Sequence, residues 1–265
     1  MVKDRRQIGF SLTETLLAVG TLAIGLMFIA GTFLTGVYFS TTSTERTIGA
    51  VAADEALAKI RIYGLDPNNA SLKTDGFVPY EQLVTIPAEE YLYPSTREEA
   101  ARQYSWSVLC RRMGAGSRLV QCTVFISRQT AGATYWARKT GADAPQLGTP
   151  NPDLPRPVRV NVVQDAGSMS LNEVSIKDAV ATDAVDERTF INDGSVFVDD
   201  ATGQIYRVLE RYANAPDKVK LDRPWMGGAI AAPAGGWVWV VPPAASGGRD
   251  PTVAVYQEVL RFPGS

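Results

Sequence analysis

From Thr15 to Thr44 the chain carries no charged side chain, and Leu16–Phe39 consists mostly of Leu, Ala, Val, Ile, Phe, Gly and Met. A membrane-spanning helix takes about 20 such residues, each rising about 1.5 Å. The stretch is long enough to cross a bilayer with turns to spare. Lys3, Arg5 and Arg6 precede it, against the single acid Asp4. That bias holds the first residues in the cytoplasm and sends the remainder outward. Glu14 interrupts the pattern. It is the only charge between Phe10 and Glu45, and a carboxylate without a partner is costly in hydrocarbon.

Three readings compete. A secretory signal cut near Ala30-Gly31-Thr32 would have an apolar core of only about 7–15 residues, shorter than this run. A plain single-pass anchor explains the length but gives Glu14 no purpose. A leader cut between Gly9 and Phe10 explains both. Cleavage creates a new amino group on Phe10, which shares a helix face with Glu14. Glu14 also lies in the first turn, where the helix dipole favours an anion. The amine can neutralise Glu14 in its own chain or in a neighbour, and a neighbour's amine would set the axial register of packed helices.

Gly9, Phe10, Ser11, Leu12, Thr13, Glu14, Leu16 and Leu17 together resemble the prepilin cleavage and methylation motif of the type IV pilin and type II secretion pseudopilin superfamily. The resemblance covers roughly residues 1–55. It implies that prepilin peptidase cuts after Gly9 and that Phe10 becomes an N-methylated first residue. Glu14 would then aid methylation and assembly by pairing with a neighbouring subunit's amine. The implied partners are the peptidase, other pilin or pseudopilin subunits and an inner-membrane assembly platform. The implied location is the bacterial inner membrane, single-pass with the head outside the cytoplasm, and then a cell-surface or periplasmic filament. Ala53–Ile60 resembles the matching helix of minor pilins and pseudopilins. One departure is that many pilins carry Pro near the position of Gly31, whereas this chain has none before Pro67.

Charge and composition narrow the function further. With 26 basic and 28 acidic side chains the net charge is −2, which does not suggest a nucleic-acid surface. The absence of His removes imidazole acid–base chemistry, Ser-His-Asp triads and His-based metal sites. No phosphate loop or Gly-x-Gly-x-x-Gly follows a strand. No cofactor and no catalytic residue is expected. A structural subunit is the leading expectation. Its alternatives are an adhesive or ligand-binding module on a pilin stem, using the Trp- and Tyr-rich head, and a membrane-tethered enzyme.

Without Pro, a helix can run from about Ser11 to Tyr63 and end at Gly64 and the Pro67-Asn68-Asn69 turn. Its later part mixes small apolar and charged positions, as a helix packed on one side does, and Glu55 and Lys59 are spaced for an i,i+4 ion pair. Phe77, Tyr80, Tyr91 and Tyr93 fall in a turn-rich connection and are expected to cover an edge of the core. Pro94–Glu99 reads as a helix start.

The clearest hairpin sets Tyr104–Cys110 against Val120–Ile126 around Gly114-Ala115-Gly116-Ser117. If Cys110 faces Cys122, then Val108 faces Val124 and Trp106 faces Ile126. All six share one apolar face, while Ser105, Ser107, Gln121 and Thr123 point the other way. That register makes Cys110–Cys122 a candidate disulfide in an oxidising compartment; two buried free thiols are the alternative.

Further strands are expected at Pro157–Val163, Asn172–Ile176, Val196–Val198, Gln204–Leu209, Trp237–Val241 and Thr252–Leu260. Asp193, Asp199 and Asp200 are candidate calcium ligands, since hard cations prefer oxygen. They lack a calcium-loop spacing, and Asp is also the ordinary residue of such turns. Core or edge packing is the expectation for Trp237 and Trp239. The expected architecture is α+β and pilin-like. It comprises a leader at 1–9, a long helix at 10–63 with its membrane part at about 15–39, an antiparallel α+β head at 64–156, and a β-rich part at 157–265 that completes the head or forms a second small module.

Overall fold

A computed structural model describes residues 11–98, 102–130, 133–136, 154–164, 170–178, 185–227, 236–248 and 250–263. The fold is α+β, with a long apolar N-terminal helix and an antiparallel β head, a pilin-like architecture. Helix α1 spans Leu12–Tyr63. It ends as the sequence predicts: Gly64 takes a left-handed φ of +72° and its N–H caps the Ile60 carbonyl at 3.0 Å. The chain divides into two compact units, residues 1–47 and 48–265.

In the second unit, α1 buries Gly49, Ala52, Ala53, Ala56, Leu57 and Ile60. The run of small residues lets the helix backbone approach the sheet closely; a Cβ on Gly49 would already meet the Cβ of Ala254 at 3.2 Å. The sheet beneath begins with β1 (Val78–Pro79), β2 (Leu92–Tyr93), β3 (Tyr104–Arg112) and β4 (Leu119–Arg128). Phe77, Tyr80 and Tyr91 are buried along it, as expected. Pro94–Arg97 form a turn, with Arg97 N–H donating to the Pro94 carbonyl at 3.2 Å directly after Tyr93 of β2; the expected helix start runs on to Glu99, which lies outside the described residues.

The β3–β4 hairpin has the predicted register, with Cys110 opposite Cys122, Val108 opposite Val124 and Trp106 opposite Ile126. The candidate disulfide is not formed. The two Sγ atoms lie 3.9 Å apart as free, buried thiols, about twice the bond length of about 2.05 Å. In-register side chains standing side by side on the pleat meet here at van der Waals contact. The Cys122 thiol and burial together push the Cys110 thiol well above its ordinary pKa.

Strands β5 (Val158–Val163), β6 (Glu173–Lys177), β7 (Val196–Asp199), β8 (Ile205–Arg211), β9 (Lys218–Leu221) and β10 (Gly236–Val240) close into a six-stranded antiparallel barrel in the order β10-β5-β6-β9-β8-β7. Alternate residues fill it: Val158, Val160 and Val162 from β5 and Val238 and Val240 from β10 are fully buried. The chain then returns as β11 (Thr252–Arg261), which pairs with β4 and not with the barrel. The region 157–265 is therefore shared between two sheets, and the barrel is an insertion between β4 and β11.

The face of the five-stranded sheet opposite α1 is also buried. Leu109, Phe125 and Phe77 pack there against Val198, Trp239 and Val241 of the barrel side. Ser105, Ser107 and Thr123 point away from the helix as expected, but into the interior.

Candidate functional site

Along residues 12–39 the large apolar side chains are exposed, from Leu12 at 78% to Phe39 at 65%. By length and composition this part of α1 is apolar enough to cross a membrane. Its hydroxyls do not spoil that surface. Thr15, Thr21, Thr32, Thr35 and Thr41 each donate to a carbonyl three or four residues back, at 2.9–3.0 Å. Turned inward in this way, a Thr presents its methyl outward. Gly20, Gly25, Gly31 and Gly36 have nothing within 4 Å of a would-be Cβ. Gly36 forms the floor of an open groove of about 550 Å³ between Ile29, Phe33 and Val37.

Glu14 sits at the head of this surface. Its N–H donates to Ser11 Oγ at 3.3 Å, and Ser11 N–H reaches the Glu14 carboxylate at 3.5 Å. The two form a reciprocal capping box. The Ser-x-x-Glu spacing of residues 11–14 is the sequence signal for it. Gly9 and Phe10, the expected processing and methylation residues, lie outside the described residues.

The three aspartates do not converge. Asp193, before β7, accepts the Arg211 N–H. Asp199, at the end of β7, accepts the Thr202 N–H at 2.7 Å and the Thr202 hydroxyl. Asp200 accepts Phe77 N–H at 2.8 Å, Trp239 Nε1–H at 2.7 Å and Arg159 Nη2 at 2.9 Å. Among the described residues no group of three or more acidic or thiol side chains is arranged to hold a metal. The bonds these acids make are those of turns and of packing against the sheet. Burial raises the pKa of the Asp199 carboxyl above its ordinary value.

The Asp199–Gly203 turn is also where the barrel meets the sheet. Arg111 of β3 donates to the carbonyls of Ala201, at 2.6 Å, and Thr202. Gln257 of β11 donates to the Gly203 carbonyl at 2.6 Å. Burial lowers the pKa of the Arg111 guanidinium. On the outer face of β10, Trp239 is buried and the half-buried Trp237 lies against Arg159, 4.8 Å from its ring. Nothing local in the sequence marks the contacts of Arg111 and Gln257 to the Asp199–Gly203 turn or of Arg159 to Asp200, because these partners are 40 or more residues away.

The fold thus defines a protein with an exposed, membrane-length N-terminal helix and an antiparallel sheet head extended by a closed barrel. No protein-family model, curated protein or solved structure matches the chain.

Proposed function

We propose that the protein is a structural subunit of a pilin or pseudopilin filament, anchored by α1 before assembly and carrying its barrel on the head. Prepilin peptidase cuts after Gly9, Phe10 is methylated, and platform proteins draw the helix from the inner membrane into a bundle. Bundling covers apolar surface a second time. The protein is the substrate of that processing and not a catalyst. The observation that carries the reading is α1 itself, an apolar surface with its hydroxyls satisfied internally and a single carboxylate in its first turn.

In this account the Glu14 carboxylate leaves Ser11 for the Phe10 amine of a neighbour, exchanging a long hydrogen bond from a backbone N–H for an ion pair with a full positive charge. Glu14→Ala should leave the chain in the membrane and processed, yet poorly recruited into filaments; normal recruitment refutes the pairing. Gly9→Val should block processing, and a mature chain beginning at Phe10 in that variant refutes the cleavage site. An adhesive head would call for an exposed aromatic cluster; Trp239 is buried and speaks against that reading, while Trp237 is half-buried beneath Arg159.

A further inference from the structure

The sheet face turned from α1 changes character along its length. Register defines four rows across β3, β4 and β11: Arg111–Gln121–Val259, Leu109–Thr123–Gln257, Ser107–Phe125–Val255 and Ser105–Ser127–Thr252. At the first end the polar groups are engaged, with Arg111 and Gln257 spent on the Asp199–Gly203 turn and Arg111 Nε on Gln121 Oε1 at 2.7 Å. Between the ends, Leu109, Phe125 and Val255 stand beside Thr123 and Gln257, whose side chains bond each other at 3.0 Å. Towards the far end the hydroxyl oxygens of Ser105, Ser107, Ser127 and Thr252 are all shielded from solvent, and none of them makes a hydrogen bond among the described residues.

Four orphan hydroxyls side by side are not a packing accident that folding tolerates lightly, since a buried hydroxyl without a hydrogen bond is destabilising. Each is one donor and two acceptors. Directly opposed residues on neighbouring strands hold their Cβ atoms about 4.5–5.5 Å apart. Two oxygens sharing one water at about 2.8 Å each lie at most about 5.6 Å apart, a separation within reach of the directly opposed pairs Ser105–Ser127 and Ser127–Thr252. A buried water requires two to four polar partners, and the Ser105–Ser127–Thr252 row with Ser107 beside it supplies them. None of the four side chains carries a charge, so the row does not select an anion or a divalent cation.

We propose that this row is a built internal hydration site, a short chain of ordered waters bridging Ser105, Ser127, Thr252 and Ser107. The sheet face is then pinned by direct hydrogen bonds at the Arg111 end and bridged by water at the Ser127 end. Ser127, at the centre of its row, is the residue to change. In the full-length protein in detergent, Ser127→Ala should lower the melting temperature of the head by roughly 2–4 °C, because the bridging water loses a partner and the neighbouring hydroxyls are stranded. A high-resolution map of the unaltered protein should show ordered water between these oxygens. If the row is dry, removing an unpaired hydroxyl is neutral or stabilising. An unchanged or raised melting temperature would overturn the proposal, as would a fall accompanied by a map with no water in the row.

Discussion

The two parts of α1 are continuous in backbone and opposite in surface chemistry. Residues 12–39 expose Leu, Ile, Phe and Val and contain one charge; residues 48–63 bury small residues and carry Asp54, Glu55, Lys59 and Arg61. The later part is fixed by the head. Lys59 lies between Glu55 at 3.1 Å and Glu90 at 2.9 Å and also donates to the Glu90 carbonyl. Among the described residues of its own unit the earlier part shows no such ion pair. One helix therefore does two jobs by changing what its surface offers, and substitutions of the same kind should give different results in the two parts.

The largest difference is expected from removing apolar volume. Ile60 is fully buried, and Ile60→Ala should cost the head about 2–5 kcal/mol. Leu22 is 63% exposed, and Leu22→Ala should leave head melting unchanged while reducing filament recruitment. Equal effects on melting would erase the distinction. Glycine gives the next test. Gly49 faces Ala254 at 3.2 Å and Val253 at 3.4 Å, so Gly49→Leu should overpack the seat and cost about 1–3 kcal/mol by thermal or denaturant melting. Gly36 faces open space, and Gly36→Ala should not lower the helix signal in circular dichroism, Ala being the better helix former.

The smallest effect is electrostatic. Hydrogen bonding from Lys59 holds the Glu90 carboxyl below its ordinary pKa. A depressed carboxyl contributes stability above its unfolded value of about 4.3 and loses that contribution as pH falls through the folded value. Lys59→Gln should therefore cost about 0.5–1 kcal/mol near neutral pH, a modest figure because Glu90 is partly solvated. The gap from the unaltered protein should narrow on acidification. A gap that widens as pH falls would contradict the role given to this contact.

Where a structural feature depended on nearby residues, the sequence was a good guide. Glycine and proline punctuation set the end of α1, and alternation in Tyr104–Cys110 and Val120–Ile126 set both faces and the register of the hairpin. Where partners lie far apart in the chain, it was not. Alternating Thr252–Leu260 announces a strand, but the pattern says nothing of whether it joins β4 or the barrel. Strand β9 is only Lys218–Leu221, too short to stand out from its turns. Ser105 and Ser107 carry the polar signature of a solvated face, yet the inserted barrel covers that side. In the candidate site, Glu14 is legible as an anomaly of charge, while its capping bond with Ser11 emerges only from the structure.

The central claim is that the positive partner of Glu14 exists only after the chain is cut. Intact mass of the protein recovered from membranes of a host with the processing machinery tests it most directly. The account predicts a chain beginning at Phe10 with one added methyl group. A chain that retains residues 1–9, or one cut near Ala30-Gly31-Thr32, would contradict it.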